Sequence, residues 1–233
     1  MPKFFSIIPA RIGSKGIPKK NLYILNKKPL IQWTLEASIQ CKYISETIVS
    51  SDSDEILRLN KYFDFNPHKR NEELSSDSAR TEDVILNIFN EMQYLVDKYE
   101  YFILLQPTSP LRTFEHIDKA CKKIIETASD TLLSVKETPS DVLKSLIEDK
   151  KGRLKPGFNG DFPFMPRQEL PNTYKPNGAI YIAKVSAFIK NKSLLSEKNS
   201  FVVMDELSSK DIDLEDDILE AASIMEKNDK KDI

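Results

Sequence analysis

The apolar residues of this chain form short continuous runs, separated by longer segments in which they recur at helical spacing. Continuous apolar runs of this kind are typical of strands that are buried on both faces of a sheet. They predict strands at residues 4–10, 48–49, 101–112, 131–135, 177–183 and 200–206, the third of which ends in a turn marked by Pro107 and Pro110.

The segments between these runs are amphipathic. Residues 28–41 place Leu30, Trp33, Thr34, Ala37 and Cys41 on one face, with Pro29 suited to the first turn of a helix. Further helices are predicted at 55–63, 81–96, 114–128 and 213–227, with residues 51–54 capping the first of these and Thr81 capping the second. Strands that alternate with amphipathic helices indicate an α/β fold, built on one mostly parallel sheet with helices on both faces.

The alternation is interrupted between Pro139 and Pro176, where only a short strand within 142–148 is indicated. A long irregular stretch in a compact domain is usually functional or contacts a partner. We therefore predict an α/β domain formed by residues 1–138 and 177–233, with residues 139–176 inserted in it as an extension.

Composition narrows the possible functions. The formal net charge of −2 implies no uniformly basic surface, so a nucleic-acid partner is not expected and local positive charge must serve a small anion. No apolar run is long enough for a membrane span or a signal segment. Cys41 and Cys121 fall within predicted helices and are interpreted as buried fillers in a protein of the reducing cytoplasm.

The loop after the first strand, residues 11–21, is basic and contains glycine. Because ligands bind at the carboxyl ends of strands in an open parallel sheet, this loop is a candidate polyphosphate site. Gly13 and Gly16 would let backbone N–H groups approach oxygen atoms, and Arg11 and Lys20 would add charge-assisted bonds. The spacing matches neither a Walker loop nor the GxGxxG fingerprint.

An acidic stretch near the end of the chain supplies the second candidate site. Asp211 and Asp213 are two residues apart, so in an extended segment their carboxylates would converge on one hard cation such as Mg²⁺. Glu215, Asp216 and Asp217 are better interpreted as acidic residues of a helix amino terminus. A polyphosphate loop and a magnesium site together indicate nucleotidyl or phosphoryl transfer.

Four ordered blocks, IIPARIGSKGIPKKN, LLQPTSPLRT, PRQELPNTYKPNGAIYI and KDIDLEDD, resemble the CMP-sialic acid synthetases, a branch of the cytidylyltransferases for nine-carbon acidic sugars. The resemblance extends from Ile7 to about Ala222. It implies a Rossmann-like fold of the nucleotide-diphospho-sugar transferase type. It also implies a reaction in which the anomeric hydroxyl of the sugar attacks the α-phosphorus of CTP, with Mg²⁺ as cofactor.

The same resemblance implies roles for individual residues. Arg11, Lys20, Asp211 and Asp213 would be catalytic, and the two aspartates would bind the metal, although the sequence does not assign which one activates the hydroxyl. Residues expected to bind the nucleotide are Arg11, Ser14, Lys15, Lys20, Asn21, Arg70 and Thr81. Residues expected to form the sugar site are Gln106, Thr108, Ser109, Arg112, Lys144, Arg167 and Lys175.

Some of these residues have an alternative interpretation. Lys175 stands where the family has arginine, which keeps the charge but loses the bidentate fork. Arg112 could be a member of an ion pair rather than of a sugar site. Lys19 is predicted to be solvated. His68 and His116 are interpreted as ordinary polar residues, Trp33 and Tyr181 as core, and Asn177 as either a turn or a site residue.

In the resembling family, the extension packs against a second subunit, which implies a homodimer with composite active sites. Two other hypotheses stay open. One is a cytidylyltransferase for the eight-carbon acid KDO, and the other is a non-catalytic CTP-binding regulator, against which the acidic pair argues.

Overall fold

The computed structural model describes residues 2–14 and 16–229 of the chain. Its strands are β1 Phe4–Pro9, β2 Ile24–Leu25, β3 Lys28–Pro29, β4 Ile44–Ser51, β5 Asn66–Lys69, β6 Tyr101–Leu104, β7 Thr131–Thr138, β8 Leu146–Glu148, β9 Leu154–Pro156, β10 Thr173–Lys184 and β11 Asn199–Val203. Its helices are α1 Leu30–Gln40, α2 Asp54–Leu57, α3 Thr81–Glu91, α4 Tyr94–Lys98, α5 Phe114–Thr127, α6 Val185–Asn191 and α7 Glu215–Asp229.

A seven-stranded sheet forms the centre of the molecule, in the order β11-β7-β10-β6-β1-β4-β5. All its strands run parallel except β10, which is antiparallel to both of its neighbours, β6 and β7. The predicted mostly parallel sheet is therefore confirmed.

Alternate side chains of β1 enter two separate cores. Phe4 and Ile8 join a cluster with residues of α1 and α5, whereas Phe5 and Ile7 join a cluster with residues of α3 and α6. Because successive side chains of a strand point to opposite faces, a central strand with helices on both sides must be apolar at nearly every position. This is the physical reason for the continuous run at residues 4–9.

The predicted helix at 81–96 is wrong in its middle. The chain forms α3 and α4 instead, with Met92 between them at φ −121° and ψ 58°. Thr81 is not the cap, because Arg80 holds that position and Thr81 is the first residue of α3. The predicted helix at 55–63 is likewise shorter, since α2 ends at Leu57 and is followed by a 3-10 turn.

The pattern does not predict three further elements, the small β2–β3 hairpin, the edge strand β5 and helix α6. β5 reads NPHK and has only one buried residue, His68. Hydrogen bonds to β4, rather than hydrophobic burial, therefore hold β5 in place.

The irregular segment 139–176 contains three 3-10 turns and the β8–β9 hairpin. The strand predicted within 142–148 is correct for 146–148, while a 3-10 turn spans Ser140–Lys144. β10 begins at Thr173 and pairs with β7 from its first residue, so the central sheet crosses the predicted domain boundary at 177. The division into a domain and an extension stays a prediction.

The two cysteines are free and buried, as predicted for core fillers. Cys41 Sγ donates a hydrogen bond to Asp118 Oδ1 at 3.1 Å. In residues 2–14 and 16–229, no helix is both long and apolar enough to cross a bilayer.

Candidate active site

Two cavities lie side by side at the edge of the sheet where β1, β4 and β6 end. The first has a volume of about 340 Å³ and is lined by Pro9, Arg11, Gly13, Ser14, Lys20, Asn21, Arg70, Leu74, Ser76, Asp77, Ala79, Thr81, Val84, Gln106, Pro107, Thr108, Asp211 and Asp213. The second has a volume of about 470 Å³ and is lined by Gln106, Lys136, Lys175, Pro176, Asn177, Gly178, Tyr181, Glu206, Leu207, Ser209, Lys210, Asp211, Glu220 and Ile224. Gln106 and Asp211 belong to both walls.

The basic loop after β1 forms one wall of the first cavity. Arg11 Nη1 forms an ion pair with Asp77 Oδ1 at 2.6 Å and lies 3.5 Å from the carbonyl of Ser75. The backbone of the loop is fixed from both sides, because Ile12 N–H donates to Asp52 Oδ1 and Asn21 Nδ2 donates to the Arg11 carbonyl. The guanidinium of Arg11 is thus presented on a rigid backbone.

The same loop packs directly against the acidic segment. Lys20 Nζ donates to the Ile212 carbonyl at 2.7 Å and to Asp213 Oδ1 at 3.0 Å. A Cβ atom added at Gly16 would lie 2.2 Å from the Asp213 carbonyl oxygen, which leaves no room for a side chain. A Cβ added at Gly13 would meet no atom within 4 Å. Of the two glycines predicted to matter, Gly16 is therefore required by close approach.

Arg70 stands behind the first cavity and is buried. Its guanidinium donates to Ser50 Oγ at 3.3 Å and to the Ser50 carbonyl at 2.9 Å. Burial lowers the pKa of Arg70 to about 10, with Asp52 acting in the opposite direction and Arg11 adding to the decrease. Arg11 and Arg70 thus place two guanidinium groups at the wall of this cavity, beside the carboxylates of Asp77 and Asp52.

The acidic segment places two carboxylates in the first cavity. Ile212 is fully buried between them, so Asp211 and Asp213 extend to the same side, as predicted. Desolvation raises the pKa of Asp211, as do the charges of Asp213 and Asp217, against the hydrogen bond from Thr108 and the charge of Lys20. Asp217 Oδ2 accepts the N–H groups of Asp213 and Leu214 at 2.9 and 2.8 Å, which fixes the turn into α7.

The QPTSPLR loop is held from behind by a buried arginine. Arg112 Nη1 donates to the carbonyls of Gln106 and Ala179, both at 3.1 Å, and Nη2 donates to Thr34 Oγ1 at 2.6 Å. Burial lowers the pKa of Arg112 to about 9. Gly178, at φ +79°, leaves space for the Gln106 side chain, since an added Cβ would lie 2.8 Å from Oε1. Arg112 therefore positions Gln106 through its backbone.

The second cavity is lined by side chains of both signs. Lys136 Nζ pairs with Glu206 Oε1 at 2.8 Å. Lys210 Nζ pairs with Asp217 Oδ1 at 3.1 Å and Glu220 Oε2 at 2.5 Å.

One wall of this cavity is fixed by a buried amide. Asn177 accepts a hydrogen bond from Ser134 Oγ and donates one to Ser209 Oγ, at 2.6 and 2.9 Å. These bonds lock the start of the GAIYI run against β7, a structural task that accounts for Asn177 without ligand contact.

The structure brings together most of the predicted site residues. All the predicted nucleotide residues except Lys15 line the first cavity, and Lys15 lies outside the described residues. Of the predicted sugar residues, Gln106 lines both cavities, Thr108 lines the first and Lys175 the second. Arg112, Ser109, Lys144 and Arg167 line neither.

The other residues singled out in the sequence have the following places. Tyr181, predicted to be core, packs against the cluster formed with α3 and α6 and also lines the second cavity, and burial together with the charge of Asp211 raises its pKa. Lys19 is exposed but forms an ion pair with Glu55 at 3.1 Å. His68 bonds Ser50 Oγ and His116 completes the cap of α5 with Thr113, so both have structural roles, as predicted.

The sequence patterns do not identify Lys136, Glu206 and Lys210, or Ser76 and Asp77 in the first cavity. Each is an isolated charged or hydroxyl residue in a polar stretch, and only the fold brings it to the site. Asp77 could have been suspected, because it lies in the same polar segment as the predicted Arg70 and Thr81.

The donor set of Asp211 and Asp213 fits a hard divalent cation. Both groups are carboxylates of the type that Mg²⁺ prefers, and they share one cavity. Among the described residues, no cluster of three or more His, Cys, Asp or Glu side chains is arranged to hold a metal. Mg²⁺ commonly takes one or two carboxylates and completes its shell with water and substrate phosphates, so a pair is sufficient.

Comparison with known proteins relates this geometry to a family. The family described as Cytidylyltransferase matches residues 5–181. N-acylneuraminate cytidylyltransferase of Escherichia coli O18:K1:H7 is 33% identical over 99% of this chain and 54% of its own length, so the chain spans about half of that relative. CMP-N,N'-diacetyllegionaminic acid synthase of Legionella pneumophila is 33% identical over 97% of both chains. Pseudaminic acid cytidylyltransferase of Campylobacter jejuni is 29% identical, also over 97% of both.

Solved structures agree at the level of fold. A CMP:2-keto-3-deoxy-manno-octonic acid synthetase complexed with CTP superposes with a TM-score of 0.71, covering 97% of this chain and 99% of that one at 16% identity. The 4-diphosphocytidyl-2C-methyl-D-erythritol synthase of Anaerococcus prevotii gives 0.65, with 97% and 96% coverage at 15% identity. With a family match over residues 5–181 and a Legionella relative aligned over 97% of both chains, this chain belongs to the cytidylyltransferase family.

Proposed function

We propose that this protein transfers CMP from CTP to a nonulosonic acid, giving the CMP-sugar and pyrophosphate. The observation that carries the proposal is the shared wall of the two cavities. Asp211 and Gln106 face a cationic cavity on one side and a cavity lined by lysines on the other. A group in this position can contact both substrates of a transfer reaction.

The first cavity suits the nucleotide. Arg11 and Lys20 converge there from one loop, and both offer charge-assisted hydrogen bonds to phosphate oxygens. In the free protein these cations are paired with Asp77 and Asp213. On triphosphate binding, Arg11 and Lys20 would exchange these carboxylates for phosphate oxygens. Their positive charges are thus offset both in the free protein and in the complex with CTP.

The second cavity is the proposed binding site of the acceptor sugar. In the proposed step, the anomeric hydroxyl oxygen bonds to the α-phosphorus while the bond to the bridging oxygen of the β-phosphate breaks. The hydroxyl proton passes to the Asp211 carboxylate, which lies between the cavities, and pyrophosphate leaves with the electron pair. Lys20 and Arg11 face the side on which negative charge develops.

We also propose Mg²⁺ as the cofactor, held by Asp211 and Asp213 together with phosphate oxygens. A bound Mg²⁺ would offset charge on the α-phosphate and on the departing pyrophosphate. Lys20 already holds Asp213 Oδ1 at 3.0 Å, which keeps this carboxylate oriented before the metal arrives.

The acceptor class follows from the relatives. Those of similar length that align over 97% of this chain are named for legionaminic and pseudaminic acid. The enzyme named for the eight-carbon acid is similar in fold at 16% identity, so KDO is the less favoured acceptor. A regulator that binds CTP without turnover would have no use for two carboxylates beside the phosphate loop.

We further propose that the protein is a homodimer with composite sites. The segment 139–176 exposes apolar side chains, including Ile147 at 57%, Leu154 at 66% and Phe164 at 91%. Such a concentration of exposed apolar residues is typical of an interaction surface. Lys144 and Arg167 lie on this segment away from both cavities, so a role in sugar binding would require the site of a second subunit.

We place the enzyme in the cytosol. Its two buried cysteines are free, which suits a reducing compartment. Fractionation of the source cells with detection by antibody tests this location.

The test of the proposed function is pyrophosphate release from CTP and Mg²⁺ with a panel of N-acetylneuraminic, N,N'-diacetyllegionaminic and pseudaminic acids and KDO. We expect release with at least one of the nine-carbon acids and dependence on both substrates. Absence of release with every acid would refute the enzyme hypothesis, and preference for KDO would refute the acceptor class.

A further inference from the structure

We propose that Lys136 and Lys175 together bind the carboxylate of the acceptor sugar, and that Glu206 is an internal counter-ion which this carboxylate displaces. The proposal rests on the proposed function and assigns the orientation of the sugar in the second cavity. It adds two residues, Lys136 and Glu206, to the binding site.

The first observation is the register of the sheet. Lys175 of β10 and Lys136 of β7 are directly opposite each other in an antiparallel pair. Side chains at directly opposite positions lie on the same face of a sheet, with Cβ atoms about 4.5–5.5 Å apart. Both lysines line the second cavity. Like charges at such positions are unfavourable unless an anion lies between or beside them.

The second observation is the distribution of carboxylates around these lysines. Lys210 is committed to two residues of α7, Asp217 and Glu220. Lys136 has one partner, Glu206, at 2.8 Å. Among the described residues, Lys175 has no carboxylate within ion-pair distance. The pair of opposing lysines therefore carries one more positive charge than its protein partners offset.

The third observation concerns Glu206 itself. Its side chain is 76% exposed, whereas that of Lys136 is 29% exposed. The turn that carries Glu206 is fixed by its neighbour, because Asp205 accepts hydrogen bonds from Ser208 N–H and Ser208 Oγ, both at 2.8 Å. Glu206 can thus rotate into solvent without movement of the backbone, which leaves Lys136 in the cavity without its partner.

These features identify the ligand group as a carboxylate of the acceptor. The phosphates of CTP have their own cations, Arg11 and Lys20, on the other side of Gln106 and Asp211. A single lysine is a point charge with little directional preference, whereas two adjacent lysines can each bond one oxygen of a planar carboxylate. Lys136 and Lys175 can therefore contact both oxygens of one carboxylate, as a single arginine guanidinium would.

The test compares an acid with its uncharged methyl ester. With CTP saturating, the panel acid that the wild-type protein uses best and its methyl ester are assayed with wild type, Lys136→Met, Glu206→Gln and the double variant. We expect Lys136→Met to raise KM for the acid by about 10- to 100-fold, the effect of losing a charge-assisted bond, with the KM for CTP unchanged. Discrimination between acid and ester should fall by the same factor.

Glu206→Gln should lower KM for the acid by about two- to five-fold, since it removes a weak, mostly exposed competitor. This gain should disappear when Lys136 is also replaced. Lys184→Met is the matched control, because Lys184 lies at the far end of β10, the strand that carries Lys175, and pairs with Glu100 at 3.5 Å. It should leave the acid-to-ester ratio at the wild-type value.

An unchanged acid-to-ester ratio in Lys136→Met, or a higher KM for the acid in Glu206→Gln, would overturn the proposal. If Lys136→Met does not fold, Lys136→Gln is read in the same way. If wild type releases no pyrophosphate with any acid, the proposed function fails. In that case, calorimetric titration of N-acetylneuraminic acid and its methyl ester into wild type and Lys136→Met tests carboxylate binding alone. If wild type binds acid and ester equally, or binds neither, the proposed role of the lysine pair is refuted.

Discussion

Asp211 and its acidic neighbours show how position separates residues of the same chemistry. Asp211 lines both cavities, Asp213 lines one and is held by Lys20, and Asp217 fixes the backbone that carries them. Glu215 and Asp216 lie in the first turn of α7, where a negative charge is favourable to the helix. One stretch of seven residues thus combines carboxylates that line the cavities with a carboxylate that fixes the backbone.

Replacement of Asp211 by asparagine should lower kcat by about 1,000-fold, the size of a lost general base, with CTP binding retained. Asp216→Asn is the matched control and should remain within about twofold of wild type, because an exposed helix-terminal charge contributes little. Initial rates of pyrophosphate release and calorimetric titration with CTP measure both effects. Comparable activity in the two variants would contradict the role given to Asp211.

Arg112 has a different kind of importance, because it is buried and bonds two backbone carbonyls and one hydroxyl. Arg112→Met should lower the free energy of unfolding by about 2–4 kcal/mol, since these acceptors lose their donors in a buried site. Arg58→Met, at an exposed position, should change it by less than about 0.5 kcal/mol. Urea unfolding of both variants distinguishes this positioning role from direct sugar contact, which would leave stability unchanged.

At the scale of elements, the site depends on contact between the loop after β1 and the segment before α7. Gly16→Ala would place a methyl group 2.2 Å from the Asp213 carbonyl oxygen and should cost about 1–3 kcal/mol of stability, with a loss of activity as the two segments separate. Gly13→Ala meets no atom within 4 Å and should leave stability within about 0.5 kcal/mol. Thermal unfolding of the pair tests the contact, and equal stability would refute it.

The central strands and main helices were predictable because their apolar periods reflect burial. YFIL is apolar throughout, and FFSIIP is apolar apart from the buried Ser6, since each strand has a helical layer on both sides. β5 was not predictable, because its sequence NPHK buries only His68 and so has no apolar pattern. Its pairing with β4 holds it at the edge of the sheet. The break after α3 was not predictable either. The helical spacing of apolar residues continues through Met92, but the backbone of Met92 is not helical.

At the scale of the whole molecule, the order of the sheet brings together residues that are far apart in sequence. Lys20 contacts Asp213 across 193 positions, and both were predicted separately from local pattern. Lys136 and Glu206 were not predicted, because a lone lysine and a lone glutamate have no distinguishing pattern until β7 and β11 are adjacent. A sugar-binding role for Gln106 is implied only by the family resemblance, because no period or spacing identifies an isolated glutamine.

The exposed apolar side chains of the segment 139–176 bear on whether the protein associates with a second copy of itself. If the proposed dimer forms through this segment, Phe164→Ser should raise its dissociation constant by about tenfold or more, the effect of losing one buried aromatic anchor. Tyr62→Ser removes an aromatic ring of similar exposure, 80% against 91%, outside this segment and should have no effect. Equilibrium sedimentation measures both, and a monomeric wild type with full activity would refute the composite site.

The central claim is that the sugar hydroxyl, held beside Asp211, attacks the α-phosphorus of CTP. Its most direct test uses the preferred acid labelled with oxygen-18 at the anomeric hydroxyl, with mass analysis of both products. Retention of the label in the CMP-sugar, with unlabelled pyrophosphate, is the predicted result. Label in pyrophosphate, or a CMP-sugar without it under conditions where the free acid keeps its label, would contradict attack by the hydroxyl.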